Sequence, residues 1–390
     1  MVSPRPSRTG MAVLVFAVLI LTHPQATFEA AANALAIWWQ VVVPALLPFF
    51  LVSQLLLRLG VFQFLAAFLE PLTRPLFCLP GATGLVIALG YSSGPPLVAS
   101  LVAELRRRGL LSREEGEKLL CFTHNASPLF LLGAVPVGML GNPALGPTLA
   151  SAHYLANLTL GLLWRWYGRR PATAFPGRGR PVFTALPRIQ EEENHPWGSL
   201  FQDALWHSCR TLLLVGGYLV MAAVLLALLK DLRLLPPLAR CLGFFLGCFS
   251  LAPSLGPALA AGLVEMTLGT QQACQTAAPL LDRLTVASLI LGWSGLSVHG
   301  QVAGVLAGTD LRLAPYLISR LAQALLAALY LPLFLPASLP AFLPSTPLPP
   351  LPWPVIFAQS CRLLGLSLAL VFAAALTSRI FLRPFWRGVP

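Results

Sequence analysis

Side chains able to hold a solute or a proton gather in two otherwise apolar segments. In 119–140, LLCFTHNASPLFLLGAVPVGML, they are His124, Asn125 and Ser127, followed at once by Pro128. In 284–306, LTVASLILGWSGLSVHGQVAGVL, they are Ser294, Ser297, His299 and Gln301, with Gly295 among them. Pro128 removes a backbone donor and disfavours helix at Ser127, which frees carbonyls one turn earlier. Asn125 and Ser127 can then bind a polar solute or cation, or simply re-satisfy those carbonyls. Ser297 and Gln301, four residues apart, share a face if the segment is helical. The flanking Gly292, Gly295, Gly300 and Gly304 equally suit close helix packing, where polar side chains act as glue worth about 0.6–2 kcal/mol each. His299 can couple protons near neutral pH or sit hydrogen-bonded in a core. Two carboxylates complete the set. Glu265 follows a long apolar run, while Glu104 adjoins Arg106, Arg107 and Arg108 and can merely finish an interfacial helix. An ionisable group among membrane helices costs at least about 2–3 kcal/mol and is functional by default.

The elements that must position these residues are membrane helices. The chain is 56% hydrophobic and only 10% charged, with a mean hydropathy of +0.75; soluble domains carry about 25% charged residues. The net charge of +12 does not imply nucleic acid, because arginines collect in short polar segments instead of on one face interleaved with aromatics. They cluster near Arg5, at 106–118, at 165–188 and at 379–387, as loops on the cytoplasmic side of spans do. The seven cysteines form no CxxC pair and read as small core residues. The apolar run after Arg5 and Arg8 lacks a convincing small-x-small cleavage site, which favours a retained anchor over a cleaved signal.

Helices are expected at about 10–24, 33–59, 61–78, 146–167, 203–229, 312–334 and 355–382. Between them lie interrupted stretches at 82–103 and 242–264, a polar connection at 266–283, and the two polar segments already named. Gly94 and Pro95 in GYSSGPP break the first stretch, as Pro128 and Gly295 break the polar segments. LVASLVAELRRRG (97–109) parallels ALAAGLVEMTLG (258–269), so the chain reads as two similar halves. Threading the spans with both termini inside puts the main basic clusters on the cytoplasmic side and inverts the halves. Lys230, Arg233, Arg240 and Arg283 are the misfits. Broken helices in corresponding positions of two halves point to a central transporter-type site, because unpaired backbone survives in hydrocarbon only when buried or facing a wet cavity.

Five stretches carry a family resemblance: VVVPALLPFF (41–50), 90–120, NASPLFLLGAVPVGML (125–140), GLVEMTL (262–268) and GWSGLSVHGQVAGVLAG (292–308). They resemble the sporulation integral membrane proteins of the YlbJ type, in the nucleoside-recognition (Gate) superfamily. GYSSGPP departs from the Gly-Tyr-Pro-x-Gly-type run of that group. The resemblance implies a spore-forming bacterial source, a cytoplasmic-membrane protein linked to spore cortex formation, and kinship with the gate regions of nucleoside and ferrous-iron transporters. It supplies no substrate.

The expectation is therefore an all-α polytopic membrane protein of two inverted Gate-type repeats with broken or re-entrant helices. Its divisions are an anchor or signal-like segment (1–32), a first repeat (33–167), an Arg/Pro-rich cytoplasmic linker (168–200) and a second repeat (201–334), then a Pro-rich loop (335–354) and a last span with a basic tail (355–390). Walker A, HExxH and GxSxG patterns are absent, and the six histidines lack metal-ligand spacing. No enzyme activity, metal or cofactor is expected. The expected partners are the bilayer, a small polar solute, and a second copy or other sporulation membrane proteins. The leading function is a transporter or channel-like protein for that solute, lined by Asn125, Ser127, Ser294, Ser297, His299, Gln301, Glu265 and Glu104. The alternative is a scaffold that organises cortex-building machinery through 168–200 and the Pro-rich loop.

Overall fold

The computed structural model describes residues 8–59, 75–80, 83–92, 94–168 and 196–335, with isolated positions 61, 69 and 73. Every described element is helical. The linker from 169 to 195, the Pro-rich loop and the C-terminal span expected at 355–382 lie outside the described residues, as do Glu70 and Arg74. Among the described residues, four helices are long and apolar enough to cross a membrane: Pro24–Leu56, Trp197–Asp231, Leu280–Leu306 and Leu313–Phe334.

Helix α1 (Arg8–Thr22) leads into α2 (Pro24–Ile37), which continues through a widened turn, Trp38–Val42, into α3 (Val43–Arg58). The widening sits just before Pro44 and Pro48, each of which lacks the donor that a regular helix needs. Trp38 uses the bend to donate its indole N–H to the Leu212 carbonyl at 2.9 Å. That bond ties the first long span to α8 (Trp197–Asp231).

Two helical hairpins and two interrupted helices then alternate. The first hairpin is α4 (Gly84–Gly90) and α5 (Pro95–Arg107). It is followed by α6 (Arg113–Thr123), a non-helical stretch from His124 to Ser127, and a wide helix, Phe130–Met139. Helix α7 (Gly146–Trp164) closes this half. After α8 comes α9 (Leu235–Cys248), then a second hairpin of α10 (Gly256–Val264) and α11 (Met266–Gln275). The second interrupted helix is α12 (Leu280–Trp293) and α13 (Gly295–Leu306), and α14 (Leu313–Phe334) follows.

Two details differ from the sequence reading. Residues 266–275, expected within a polar connection, are the second arm of a hairpin whose tip is Glu265. Thr270 and Cys274 are buried there, so polar composition hid a packed helix. Pro128 breaks the helix as expected, standing at the start of the second half-helix, a position where its missing donor costs nothing. Among the six described cysteines only Cys121 and Cys274 are buried, while Cys78, Cys241 and Cys248 are exposed.

The run SREEGEKLL (112–120) carries a capping-box pattern, and a helix starts at Ser112 accordingly. The Ser112 side chain accepts from Glu115 N at 3.1 Å, and Glu115 returns a bond to Ser112 N at 2.9 Å. Helix α14 shows how apolar and polar faces are divided. Leu321, Leu325, Leu329 and Leu333 point outward at four-residue spacing, whereas Tyr316, Ser319, Arg320 and Gln323 are buried. Such a helix presents hydrocarbon to lipid and its hydrogen-bonding groups to the protein interior.

Candidate functional site

The tips of the two hairpins meet the two helix interruptions at the centre of the protein. Gly94 ends the first tip with φ 87° and ψ 179°, a conformation essentially restricted to glycine. A Cβ there would come within 3.9 Å of the Ser127 Cβ, in the first interruption. Gly295 opens α13 with φ 80°. A Cβ on it would lie 3.0 Å from Met266 N and 3.1 Å from the Glu265 Cα, at the second tip.

A cavity of about 290 Å³ lies where these four pieces converge, closed on its far side by α3 and α8. Five of the expected residues reach it: Ser127, Glu265, Ser297, Gln301 and the helix-breaking Gly94. Among the described residues, Glu265 is the only acidic or basic side chain in its lining. Its carboxylate caps α11, accepting from Leu268 N at 2.7 Å, so one oxygen is committed to the helix start where a negative charge is favoured. Ser127 works in the same way, its Oγ accepting from Phe130 N at 3.3 Å. Ser297 and Gln301 share the inward face of α13, as their spacing implied. This is a largely apolar chamber with hydroxyls, two amides and a single carboxylate. It suits a small solute that is neutral or cationic and carries hydrogen-bond donors; an anion would face Glu265 without a cation in the lining.

Asn125, Ser294 and His299 lie behind the cavity wall. Ser294 occupies the left-handed region at φ 74° and bonds back to the Leu291 carbonyl at 3.2 Å. His299 Nδ1 is 3.1 Å from the Tyr316 hydroxyl, which is 3.0 Å from His124 Nε2. Asn125 donates to the Gly90 carbonyl at 3.3 Å and accepts from Asn157. Asn125 and His299 serve a buried polar cluster, Ser294 bonds within its own helix end, and none of the three is in the lining.

Glu104 is displaced further. It sits on the surface at the end of α5, where Arg108 and Arg107 bond to it at 2.6 and 3.0 Å and hold its carboxyl below the usual range. The matching of 97–109 with 258–269 in sequence led to its pairing with Glu265. Glu265 instead caps the second arm of its hairpin, as Gly94 does in the first.

The sequence reading missed Arg320, Tyr316, Asn157, His153 and Gln323, which form the cluster behind the first interruption. The available signal was an arginine, Arg320, inside an apolar span, a pattern that marks function or a buried network. It also missed the lining groups Gln54 of α3 and Thr211 and Tyr218 of α8. No local pattern distinguishes these from ordinary polar residues of a span.

At one end of the protein, polar segments far apart in sequence are joined. Arg106 holds Asp310 through two bonds of 2.8 Å. The fully buried Glu117 carboxylate accepts from Arg312 Nε and Nη2 at 3.0 Å and from the Tyr167 hydroxyl at 2.5 Å. Burial alone would push the Glu117 carboxyl up, but these bonds outweigh it and hold the group below its ordinary value.

The Gate family, described as nucleoside recognition, matches residues 39–143. The chain is 42% identical over 318 residues to the sporulation integral membrane protein YlbJ of Bacillus subtilis (strain 168), a match covering 80% of this chain and 78% of that one. Among solved structures it resembles CNTnw. A CNTnw variant in the intermediate 2 state matches with TM-score 0.56 and 14% identity, over 84% of this chain and 86% of that one. CNTnw in an inward-facing substrate-bound state gives TM-score 0.50 and 13% identity, over 82% and 84%. At that identity the likeness is one of fold.

Proposed function

Because the chain belongs to the family of the sporulation integral membrane protein YlbJ, we propose that it carries a small polar solute across the membrane of a sporulating cell, in support of cortex formation. One observation carries the reading. Two hairpin tips and two helix interruptions converge on a cavity in which, among the described residues, Glu265 is the only acidic or basic side chain. Broken helices are tolerated where their freed backbone groups line a cavity, and a central site between two such elements is the design of many secondary transporters. The solute is neutral or cationic, and nucleosides are the first class to test, given the Gate match and the fold of CNTnw. Glu265 would accept from a hydroxyl or amino group, with Ser297 and Gln301 completing its orientation.

Uptake of labelled nucleosides into proteoliposomes holding the full chain tests this directly. Saturable uptake that falls at least about tenfold in Glu265→Gln is the expected result, since a hydrogen bond to a charged group is worth about 1.5–3 kcal/mol. Uptake equal to that of empty vesicles, for nucleosides and for a panel of small cations and polyols, would sink the carrier reading. The scaffold alternative rests on 168–200 and the Pro-rich loop; residues 169–195 and everything beyond 335 fall outside the described residues. Full spore resistance with Glu265→Gln and Ser297→Ala together would favour it.

A further inference from the structure

Arg320 is, among the described residues, the largest side chain that is completely buried. Among the described residues no carboxylate lies within ion-pair reach of it. A guanidinium stays protonated in proteins, and a buried charge costs several kcal/mol unless its donors are met. Here the two Nη groups are met by oxygens around the first helix interruption, while Nε has no hydrogen-bond partner among the described residues. Nη2 donates to the Cys121 carbonyl at 2.6 Å and to Asn157 Oδ1 at 3.1 Å. Nη1 donates to the His124 carbonyl and to Gln323 Oε1. The face of Tyr316 lies 5.7 Å from the guanidinium carbon.

The two carbonyls identify what the charge is doing. Helix α6 ends at Thr123, so the Cys121 carbonyl belongs to its unsatisfied last turn and His124 is the residue just past it. The end of a half-helix carries partial negative charge, and such ends inside membranes are places where a sodium ion or proton is held. Two carbonyls and two amide oxygens directed at one point would form an oxygen cage for a hard cation. Arg320 fills it.

We propose that Arg320 is a resident cation, permanently occupying the carbonyl end of the first interrupted helix, so that this interruption takes no alkali cation from solution. The positive charge of the centre is thus covalent. It is fixed on α14, behind the cavity wall, whatever the cavity carries. An exchangeable ion would leave the four oxygens unmet each time it departed. The guanidinium keeps His124–Ser127 extended in every state of the cavity.

Thermal unfolding of the full-length protein in detergent tests the assignment without any transport assay. Sodium or potassium chloride would be titrated against choline chloride at constant ionic strength. Wild type and Glu265→Gln are both expected to show the same Tm in all three salts. The Glu265→Gln arm removes the cavity carboxylate as an alternative ion site. Arg320→Met keeps side-chain bulk without charge. It is expected to lose several degrees of Tm and to recover them saturably with millimolar guanidinium or with an alkali ion, while wild type does neither. Arg320→Lys is expected to keep a Tm between the two and to remain indifferent to added cations.

Three outcomes would overturn the proposal. One is saturable stabilisation by sodium or potassium that survives Glu265→Gln. Another is an Arg320→Met protein as stable as wild type. The last is a destabilised Arg320→Met that no added cation restores, which would make Arg320 a packing residue only. Should Arg320→Met fail to accumulate while Arg320→Lys does, the need for a positive charge stands, and the wild-type titration decides whether that charge is the resident one.

Discussion

At the first interruption the chain runs extended from His124 to Ser127, and the groups it frees are taken up by the protein itself. Arg320 and Asn157 bind its carbonyls, His153 accepts from Ala126 N at 3.2 Å, and Asn157 bonds Asn125. At the second interruption only Ser294 and Gly295 leave the helix, both at positive φ. That shorter break presses on a hairpin tip whose Glu265 faces the cavity. The first break is wrapped in a positively charged network with one hydroxyl, Ser127, left facing the cavity. The second, together with the hairpin tip packed on it, exposes an amide, a hydroxyl and a carboxylate to it. Interruption in a helix is therefore not by itself evidence of a binding surface. What matters is where its orphaned groups find partners, and the two breaks of this chain divide the structural and solute-facing roles between them.

Removing a partner from the first region should have the largest effect. Asn157 has no exposed surface and mediates between Asn125, the His124 carbonyl and Arg320. Asn157→Leu leaves a buried guanidinium and an amide short of partners, a loss of about 3–5 kcal/mol. The expected outcome is collapse of membrane abundance in an expression assay, not a selective loss of solute binding. Normal abundance with lost binding would break the comparison by making the first region a binding surface after all.

The two hinge glycines sharpen the contrast. Both sit where other residues are strained, at a cost of about 1–3 kcal/mol. A Cβ on Gly94 meets open space until 3.9 Å, whereas one on Gly295 runs into the backbone of the second hairpin tip at 3.0 Å. Gly295→Ala should therefore shift the tip that carries Glu265 and reduce solute affinity as well as stability. Gly94→Ala should reduce stability alone. Equal effects on binding, measured by titration calorimetry on purified protein, would show that the second tip is not the sensitive one.

The polar end offers a pH test outside the membrane helices. Glu117 has a carboxyl held below its ordinary value, chiefly by Arg312 against the opposing effect of burial. A carboxyl depressed on folding stabilises fully above its unfolded value, about 4.3, and that contribution disappears as pH falls through the folded value. Wild type should exceed Glu117→Gln in Tm at neutral pH, with the gap constant down to about pH 5 and closing below roughly pH 4. The gap should be modest, because Arg312 is half exposed and its attraction is screened. A gap that widens on acidification would reverse the assigned direction.

These regions differ in how far the sequence disclosed them. The helical class, the capping box at Ser112 and the positions of both breaks follow from composition, a capping pattern and Gly/Pro placement, all of which act locally. The joining of Arg58 to Asp203 and of Arg106 to Asp310 agrees with the expectation that their segments share one side. Glu104 misled because similar runs of small residues stand on different arms of the two hairpins. Arg320 and Asn157 were illegible as a pair, since their meeting depends on α7 and α14 packing across the end of α6. Segment periodicity says which residues face inward, but not which inward face meets which broken end.

The smallest predicted effect is also the most direct test of the division. Ser127 and Ser297 both line the cavity, one from each interruption. The Ser127 hydroxyl already accepts from Phe130 N, so Ser127→Ala should cost about 0.5–2 kcal/mol of stability as a lost cap and leave solute affinity nearly unchanged. Ser297 stands within α13, where its hydroxyl caps no helix start. Ser297→Ala should therefore leave Tm in place while weakening solute binding by about 0.5–1.5 kcal/mol, roughly two- to tenfold in Kd. The reverse assignment, affinity lost at Ser127 and stability lost at Ser297, would exchange the roles of the two interruptions. The solute would then be held against the first break, within reach of the field of Arg320, and an anion would become the better candidate.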